Sequence, residues 1–173
     1  MITLTHSGIT NVRADAVVNA ANSGLWEGGG VCGAIFAAAG SAELTKACQA
    51  IGHCNTGNAV ITPAFGLDAK YIIHAVGPQW NGGNNNEETL LRSAYTNSLN
   101  LAKDNGCKSI VFPLISAGIY GYPKAQACQV AVTAVKQWCD AHKDYEINVI
   151  FAVPGKTEYD LCNQAIKAVE DNK

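Results

Sequence analysis

Short apolar runs recur along this chain, separated by stretches whose apolar residues fall three or four apart. The runs of strand length are Ile2–Thr5, Ala16–Ala20, Ala59–Pro63, Tyr71–Val76, Ile110–Leu114 and Ile147–Val153. Several are continuous rather than alternating, as in Ile110-Val111-Phe112 and Val149-Ile150-Phe151. A strand apolar on both faces belongs inside a sheet covered by helices on each side. Helical spacing appears at Val31, Ala34, Ile35 and Ala38, and again at Leu91, Ala94, Tyr95, Leu99 and Ala102. It returns at Cys128, Ala131, Val132, Val135 and Cys139, and at Cys162, Ala165, Ile166 and Val169. Asn86 is placed to cap the second of these helices, with Glu87 and Glu88 in its first turn and Gly106 at its end. Pro123 suits the first position of the third, and Thr157 with Asp160 resembles a capping box before the last. Strands alternating with helices predict a three-layer α/β/α sandwich around a largely parallel sheet. No repeat or linker interrupts the pattern, so residues 1–173 read as one domain. The Gly/Asn-rich piece 81–86 is a loop inside it.

Composition narrows the function classes. Hydrophobic residues make up 48% and charged residues 15% of the 173, which is globular rather than disordered. The net charge of -2 includes no block of basic residues, so neither nucleic acid nor a membrane surface is an expected partner. No apolar run approaches the roughly 20 residues that span a bilayer. Met1 leads straight into a strand, which predicts no signal peptide. Seven cysteines, an odd number without a CxxC pair, predict reduced thiols and a cytoplasmic setting. His53 and Cys54 are adjacent, yet nothing nearby completes a ligand set, so no metal is expected.

The chemistry concentrates in two loops. From Val17 the chain reads VVNAANSGLWEGGGVCGAIFAAAG: a strand, a loop with Gly28, Gly29 and Gly30, then a helix. Glycine lets backbone N–H groups approach an anion, and a helix N-terminus carries partial positive charge. The second loop, Ser116-Ala117-Gly118-Ile119-Tyr120-Gly121, also follows an apolar strand and precedes a helix. In a parallel sheet both lie beyond the carboxyl ends of strands, where ligands bind. Two facing loops of this kind suit a diphosphate. The glycine triplet does not form G-x-G-x-x-G, which argues against a nicotinamide dinucleotide.

Five segments in order, VVNAAN (17–22), GGGVCGAI (28–35), TGNAVITPA (56–64), KYIIHAVGP (70–78) and FPLISAGIYGYP (112–123), resemble a macrodomain of the MacroD-type class. The resemblance covers nearly the whole chain. It implies a mixed six- or seven-stranded sheet and a cleft for ADP-ribose, as ligand or product, with no cofactor. ADP-ribose or an ADP-ribosylated protein would be the partner. It implies that Val31 and Ile119 close over the diphosphate and that the Ser116, Ala117, Gly118, Ile119 and Tyr120 backbone donates to it. Ala20, Gly29 and Gly30 line the same site. Asn22 lies beside the ribose that carries the leaving group. Gly8, Ile9 and Pro154 fall at the adenine end.

The chain departs from the family pattern at four places. Cys32 stands where MacroD-type enzymes carry an Asp that helps the attacking water, although alphavirus-type macrodomains share the GVC sequence. Phe36 replaces a common His. Ser7-Gly8-Ile9 lacks the carboxylate that bonds the adenine amino group, and Val153-Pro154-Gly155 lacks the aromatic residue laid over the base. Asn22 can donate and accept at once, so it positions a hydroxyl or a water but takes no proton. Glu27 at the loop tip is either an acid or base replacing Cys32 or an exposed, solvated carboxylate. Two functions follow: hydrolysis of mono-ADP-ribosyl esters on proteins or of O-acetyl-ADP-ribose, with Asn22 and Cys32 as the catalytic candidates, or binding of ADP-ribose without cleavage.

Overall fold

The structure is a computed structural model that describes residues 1–171. Six strands are present: β1 (Ile2–Thr5), β2 (Ala16–Ala20), β3 (Ala59–Pro63), β4 (Tyr71–Ala75), β5 (Ser109–Phe112) and β6 (Asn148–Ala152). They form one sheet in the order β1-β6-β5-β2-β4-β3. Every pairing is parallel except β3 with β4. The five helices are α1 (Gly30–Ala39), α2 (Ser41–Ile51), α3 (Glu87–Asp104), α4 (Lys124–Ala141) and α5 (Lys156–Asp171).

Alternation along each strand sorts the core into two layers, as the period-2 geometry of a strand requires. Val17, Ile72, Val111 and Ala152 face a cluster containing Ile35, Phe36, Leu44 and Cys48 of α1 and α2. Val18, Ile73, Ile110 and Phe151 face the other cluster, built with Leu91, Tyr95, Ala131, Val135 and Cys162 of α3, α4 and α5. The sandwich therefore has three layers and the expected mixed, mostly parallel sheet, with six strands.

Several expectations shift. The buried face of α1 is Cys32, Ile35, Phe36 and Ala39, while Ala34 and Ala38 are exposed. The run of small apolar residues hid which stripe faces the sheet. Helix α2 was not expected; only Leu44 and Cys48 are buried on it, too sparse a stripe to stand out. Strand β5 ends at Phe112 because Pro113 cannot donate to a ladder. Asn86 occupies the N-cap position of α3 but in the left-handed region (φ 62°) with no side-chain cap. Glu87 turns back instead and accepts N–H bonds from Asn81, Gly83 and Asn85 at 2.8, 2.8 and 2.6 Å. Helix α5 begins at Lys156, so Thr157 and Asp160 lie within it rather than forming a capping box. Pro123 sits one position before α4 begins.

Candidate functional site

Strands β2, β4 and β5 run parallel, so their carboxyl ends meet at one edge of the sheet. After β2 the chain turns sharply: Leu25 N–H donates to Asn22 O at 3.0 Å, and Leu25 is buried in the left-handed region (φ 61°). The loop then approaches α1 so closely that a Cβ on Gly33 would lie 2.8 Å from Gly28 O. Helix α1 starts with no side-chain cap. Its first N–H groups, from Gly29 to Cys32, thus have no intrahelical acceptor and face the cleft with the positive end of the helix dipole.

The second loop is held from beneath. Tyr95 Oη donates to Pro113 O (3.3 Å) and accepts from Ile115 N–H (3.0 Å). Tyr122 N–H donates to Ser116 O at 2.9 Å, and Trp80 N–H to Tyr120 O at 2.8 Å. These bonds spend carbonyls. Among the described residues, the N–H groups of Ser116, Gly118, Ile119 and Tyr120 have no partner. Ser116 is buried at φ 68°, and its Oγ also lacks a partner. Gly77, just beyond β4, leaves room for this turn; a Cβ there would overlap Ser116 Oγ and Ile115 Cγ2.

Between the loops lies a cleft of about 540 Å³. Of the expected site residues, Ala20, Asn22, Gly29, Gly30, Val31, Cys32, Ser116, Gly118, Ile119 and Tyr120 line it together. Gly8, Ile9, Ala117 and Pro154 do not. Gly8 and buried Ile9 begin a short 3-10 turn, Ala117 packs against the core beneath its loop, and Pro154 is exposed. Pro154 O accepts a 2.7 Å bond from His6 Nε2–H, and the His6 ring lies 5.0 Å from that of Tyr159. The cleft also includes Gly28 of the glycine triplet, and Ala21, Trp26, Gly77, Pro113, Leu114 and Ile115, which were not named as site residues. Gly77 had a signal, the glycine straight after an apolar strand; Ala21 and residues 113–115 fall inside the family-like segments 17–22 and 112–123, and Trp26 had no signal. Among the described residues, no Asp, Glu, Lys, Arg or His side chain lines the cleft. Trp26 and Ile119 stand at its mouth, 64% and 91% exposed.

Asn22 is half-buried and uses both ends of its carboxamide on one neighbour: Nδ2 donates to Trp26 O (2.9 Å) and Oδ1 accepts from Trp26 N–H (3.1 Å). One amide hydrogen and one lone pair stay available. Cys32 Sγ accepts Gly28 N–H (3.4 Å) and Asn19 Nδ2–H (3.6 Å), and its own proton points to Trp26 O (3.8 Å). Phe36 is buried packing. Glu27 is exposed and outside the cleft lining. Behind the floor, His74 is fully buried, and burial pulls its pKa from 6.5 down to about 4, so the ring is neutral. Burial first, then Cys32, raises the Cys48 thiol to about 11.

A larger cavity, about 780 Å³, opens between α3, α4 and α5. Among the described residues, the only opposite charges lining it, Glu88 and Arg92, already pair at 3.5 Å. The 540 Å³ cleft is therefore the candidate site. Among the described residues, no three His, Cys, Asp or Glu side chains come together as a metal set. His53 Nε2 instead meets Asn55 Oδ1 at 2.9 Å. No helix among the described residues is long and apolar enough to cross a membrane.

Comparison with known proteins agrees with this architecture. A family model described as Macro domain matches residues 18–131. A macro domain-containing protein of Chlorobaculum tepidum is 47% identical over 160 residues, 92% of each chain. An O-acetyl-ADP-ribose deacetylase of Citrobacter rodentium is 54% identical over 137 residues, 77% of each. The Oceanobacillus iheyensis macrodomain with ADP superposes with a TM-score of 0.93 at 36% identity, covering 98% of this chain and 92% of that one. The Trypanosoma brucei macrodomain in complex with ADP-ribose gives 0.88 at 34%, covering 95% and 68%. A sheet in this order, two amide-lined loops at its carboxyl edge and relatives over most of its length make one conclusion: the chain belongs to the macrodomain family.

Proposed function

We propose that this macrodomain binds ADP-ribose and hydrolyses the ester of O-acetyl-ADP-ribose, and with it mono-ADP-ribosyl esters on acidic protein side chains. One observation carries the reading. Two sets of unpaired backbone N–H groups, at the start of α1 and in the 116–120 loop, converge on a cleft with no charged side chain. Such a cleft favours an anion through fixed dipoles, at no desolvation cost for a lysine or arginine. A diphosphate fills it, with Val31 and Ile119 on either side. The relatives supply the reaction class: a protein 54% identical is an O-acetyl-ADP-ribose deacetylase.

The chemistry follows from what the cleft holds. The free N–H and lone pair of Asn22 fix a hydroxyl of the proximal ribose, which sets the neighbouring ester. A water adds through its oxygen to the acyl carbon, and its proton passes to a diphosphate oxygen of the substrate itself. The acyl carbon–oxygen bond to ribose then breaks, the ribose oxygen takes the proton held on the diphosphate, and the acid released gives its remaining proton to solvent. The products are a carboxylate and ADP-ribose. Asn22 cannot serve as the base, and the Cys32 proton is engaged with Trp26 O, so the base comes from the substrate. Cys32 in place of a carboxylate also motivates a second reading, a reader that binds without cleaving. Incubation with O-acetyl-ADP-ribose and with a mono-ADP-ribosylated glutamate target tests the proposal. Ester loss well above the buffer rate supports it; tight ADP-ribose binding with ester loss at the buffer rate leaves the reader.

A further inference from the structure

Beneath the glycine loop a chain of buried polar groups runs across the sheet edge. It starts at Thr62 on β3, whose Oγ1–H donates to Pro63 O at 3.1 Å. A hydroxyl has one proton, so Thr62 meets its other neighbour, His74 Nε2 at 3.0 Å, with a lone pair. The neutral ring of His74 on β4 therefore carries its proton on Nε2. Nδ1 is left as an acceptor, and Asn19 Nδ2 lies 3.1 Å from it. This fixes which way the Asn19 carboxamide points: its nitrogen faces the ring and also reaches Cys32 Sγ at 3.6 Å. The cost is visible, because Asn19 Oδ1 is buried without a partner. Cys32 Sγ in turn ties Gly28 N–H and Trp26 O, the backbone of the cleft wall beside Asn22. The one other titratable group in contact with the ring is Cys48, whose Sγ lies 3.9 Å from Nε2.

We infer that His74, held as the Nε2–H tautomer by Thr62, is a positioning residue that orients Cys32 through Asn19 and so sets the wall of the cleft next to Asn22. Its part in turnover rests on the proposed hydrolysis; its part in orienting the thiol does not. Thr62, His74 and Asn19 lie outside the cleft lining, and only Cys32 reaches it. The relay fixes geometry from behind, through four side chains that come from two strands of the sheet edge, from β2 and from α1. Buried networks of this kind hold one arrangement because each member leaves the next a single choice of donor or acceptor.

Long-range proton–nitrogen NMR of the intact protein reads the tautomer without any substitution. The inference expects His74 protonated on Nε2 and bare on Nδ1 at neutral pH; the reverse overturns it. The second arm uses Thr62→Val, which keeps the shape and removes the hydroxyl, with His74→Gln as a companion and thermal melts to confirm folding. Loss of the Thr62 acceptor frees the ring to carry its proton on Nδ1, which turns the Asn19 nitrogen away from Cys32. The time profile of iodoacetamide alkylation of Cys32, followed by peptide mass mapping, is expected to change in Thr62→Val, since the sulfur loses the Asn19 N–H donor that orients it. The kcat for O-acetyl-ADP-ribose is expected to fall about fivefold, the loss of one weakened hydrogen bond, with ADP-ribose Kd changed less than about twofold. An alkylation profile that superimposes on the wild type, or a shifted profile with unchanged kcat, overturns the inference. Absence of turnover in the wild-type protein counts against the proposed function alone, because the NMR and alkylation results still judge the relay.

Discussion

Asn22 and Cys32 reach the same atom, the carbonyl oxygen of Trp26. Each is thereby both a structural brace and a cleft residue, and their substitutions should separate. Removing the Asn22 carboxamide strips the ribose contact and loosens the loop. Asn22→Ala is expected to lower kcat for O-acetyl-ADP-ribose by roughly tenfold or more, the loss of one to two positioned hydrogen bonds, with a smaller effect on ADP-ribose affinity. Parallel steady-state assays and calorimetry check this; equal losses in both would mean that Asn22 only binds. At Gly77 the argument is space. A methyl group there overlaps the Ser116 turn, so Gly77→Ala should cost about 1–3 kcal/mol in urea denaturation, as overpacking does, and should weaken ADP-ribose binding too. His74 gives a pH signature. Its folded pKa, about 4, lies below the ordinary 6.5, so the folded state binds fewer protons than the unfolded chain between those values. Stability from this group is complete above pH 6.5 and is lost as pH falls towards 4, up to about 3 kcal/mol. The His74 ring nitrogens should hold constant NMR shifts from pH 8 to about 5; a titration centred near 6.5 contradicts the buried, neutral ring.

At the scale of elements, the two site loops were legible and the details that hold them were not. The glycine triplet before a small apolar helix predicted an anion-accepting start to α1, and that helix begins with no side-chain cap. Which residues of α1 face the core was not readable, because six of its ten residues are Gly or Ala and the stripe is faint. Loop 81–86 looked like a plain Gly/Asn turn. In the structure Glu87 gathers three of its N–H groups, a role that no local spacing announces. This carboxylate faces opposing effects: burial raises its pKa, and the backbone donors outweigh that and lower it. Its stabilisation is therefore present above its ordinary pKa and is lost as pH drops through the lower folded value. Glu87→Ala should reduce the urea midpoint at pH 7, and the difference from wild type should shrink under strongly acidic conditions. A variant as stable as the wild type would mean that solvent holds the loop equally well. Since Trp80 N–H ties the start of this loop to Tyr120 O, its ADP-ribose affinity should also drop.

Across the whole molecule, the six apolar runs became the six strands with ends shifted by at most two residues, because β-branched and aromatic runs are hard to place anywhere but in a covered sheet. Their order was not legible. Nothing local in Ile2–Thr5 says that it pairs with β6, 147 residues away, or that β3 alone runs antiparallel. The buried relay from Thr62 to Cys32 was equally hidden, since its four side chains are spread over 55 positions and meet only once β2, β3 and β4 are aligned. Gly8, Ile9 and Pro154 do not line the cleft, and the contacts of His6 with Pro154 O and with the Tyr159 ring were not foreseen. The central claim, that main-chain amides from two loops grip one diphosphate, is tested most directly by an amide NMR titration with ADP-ribose. The account predicts that the Gly29–Cys32 resonances and those of Ser116 and Gly118–Tyr120 shift together with one Kd; shifts confined to one loop, or none in either, would contradict it.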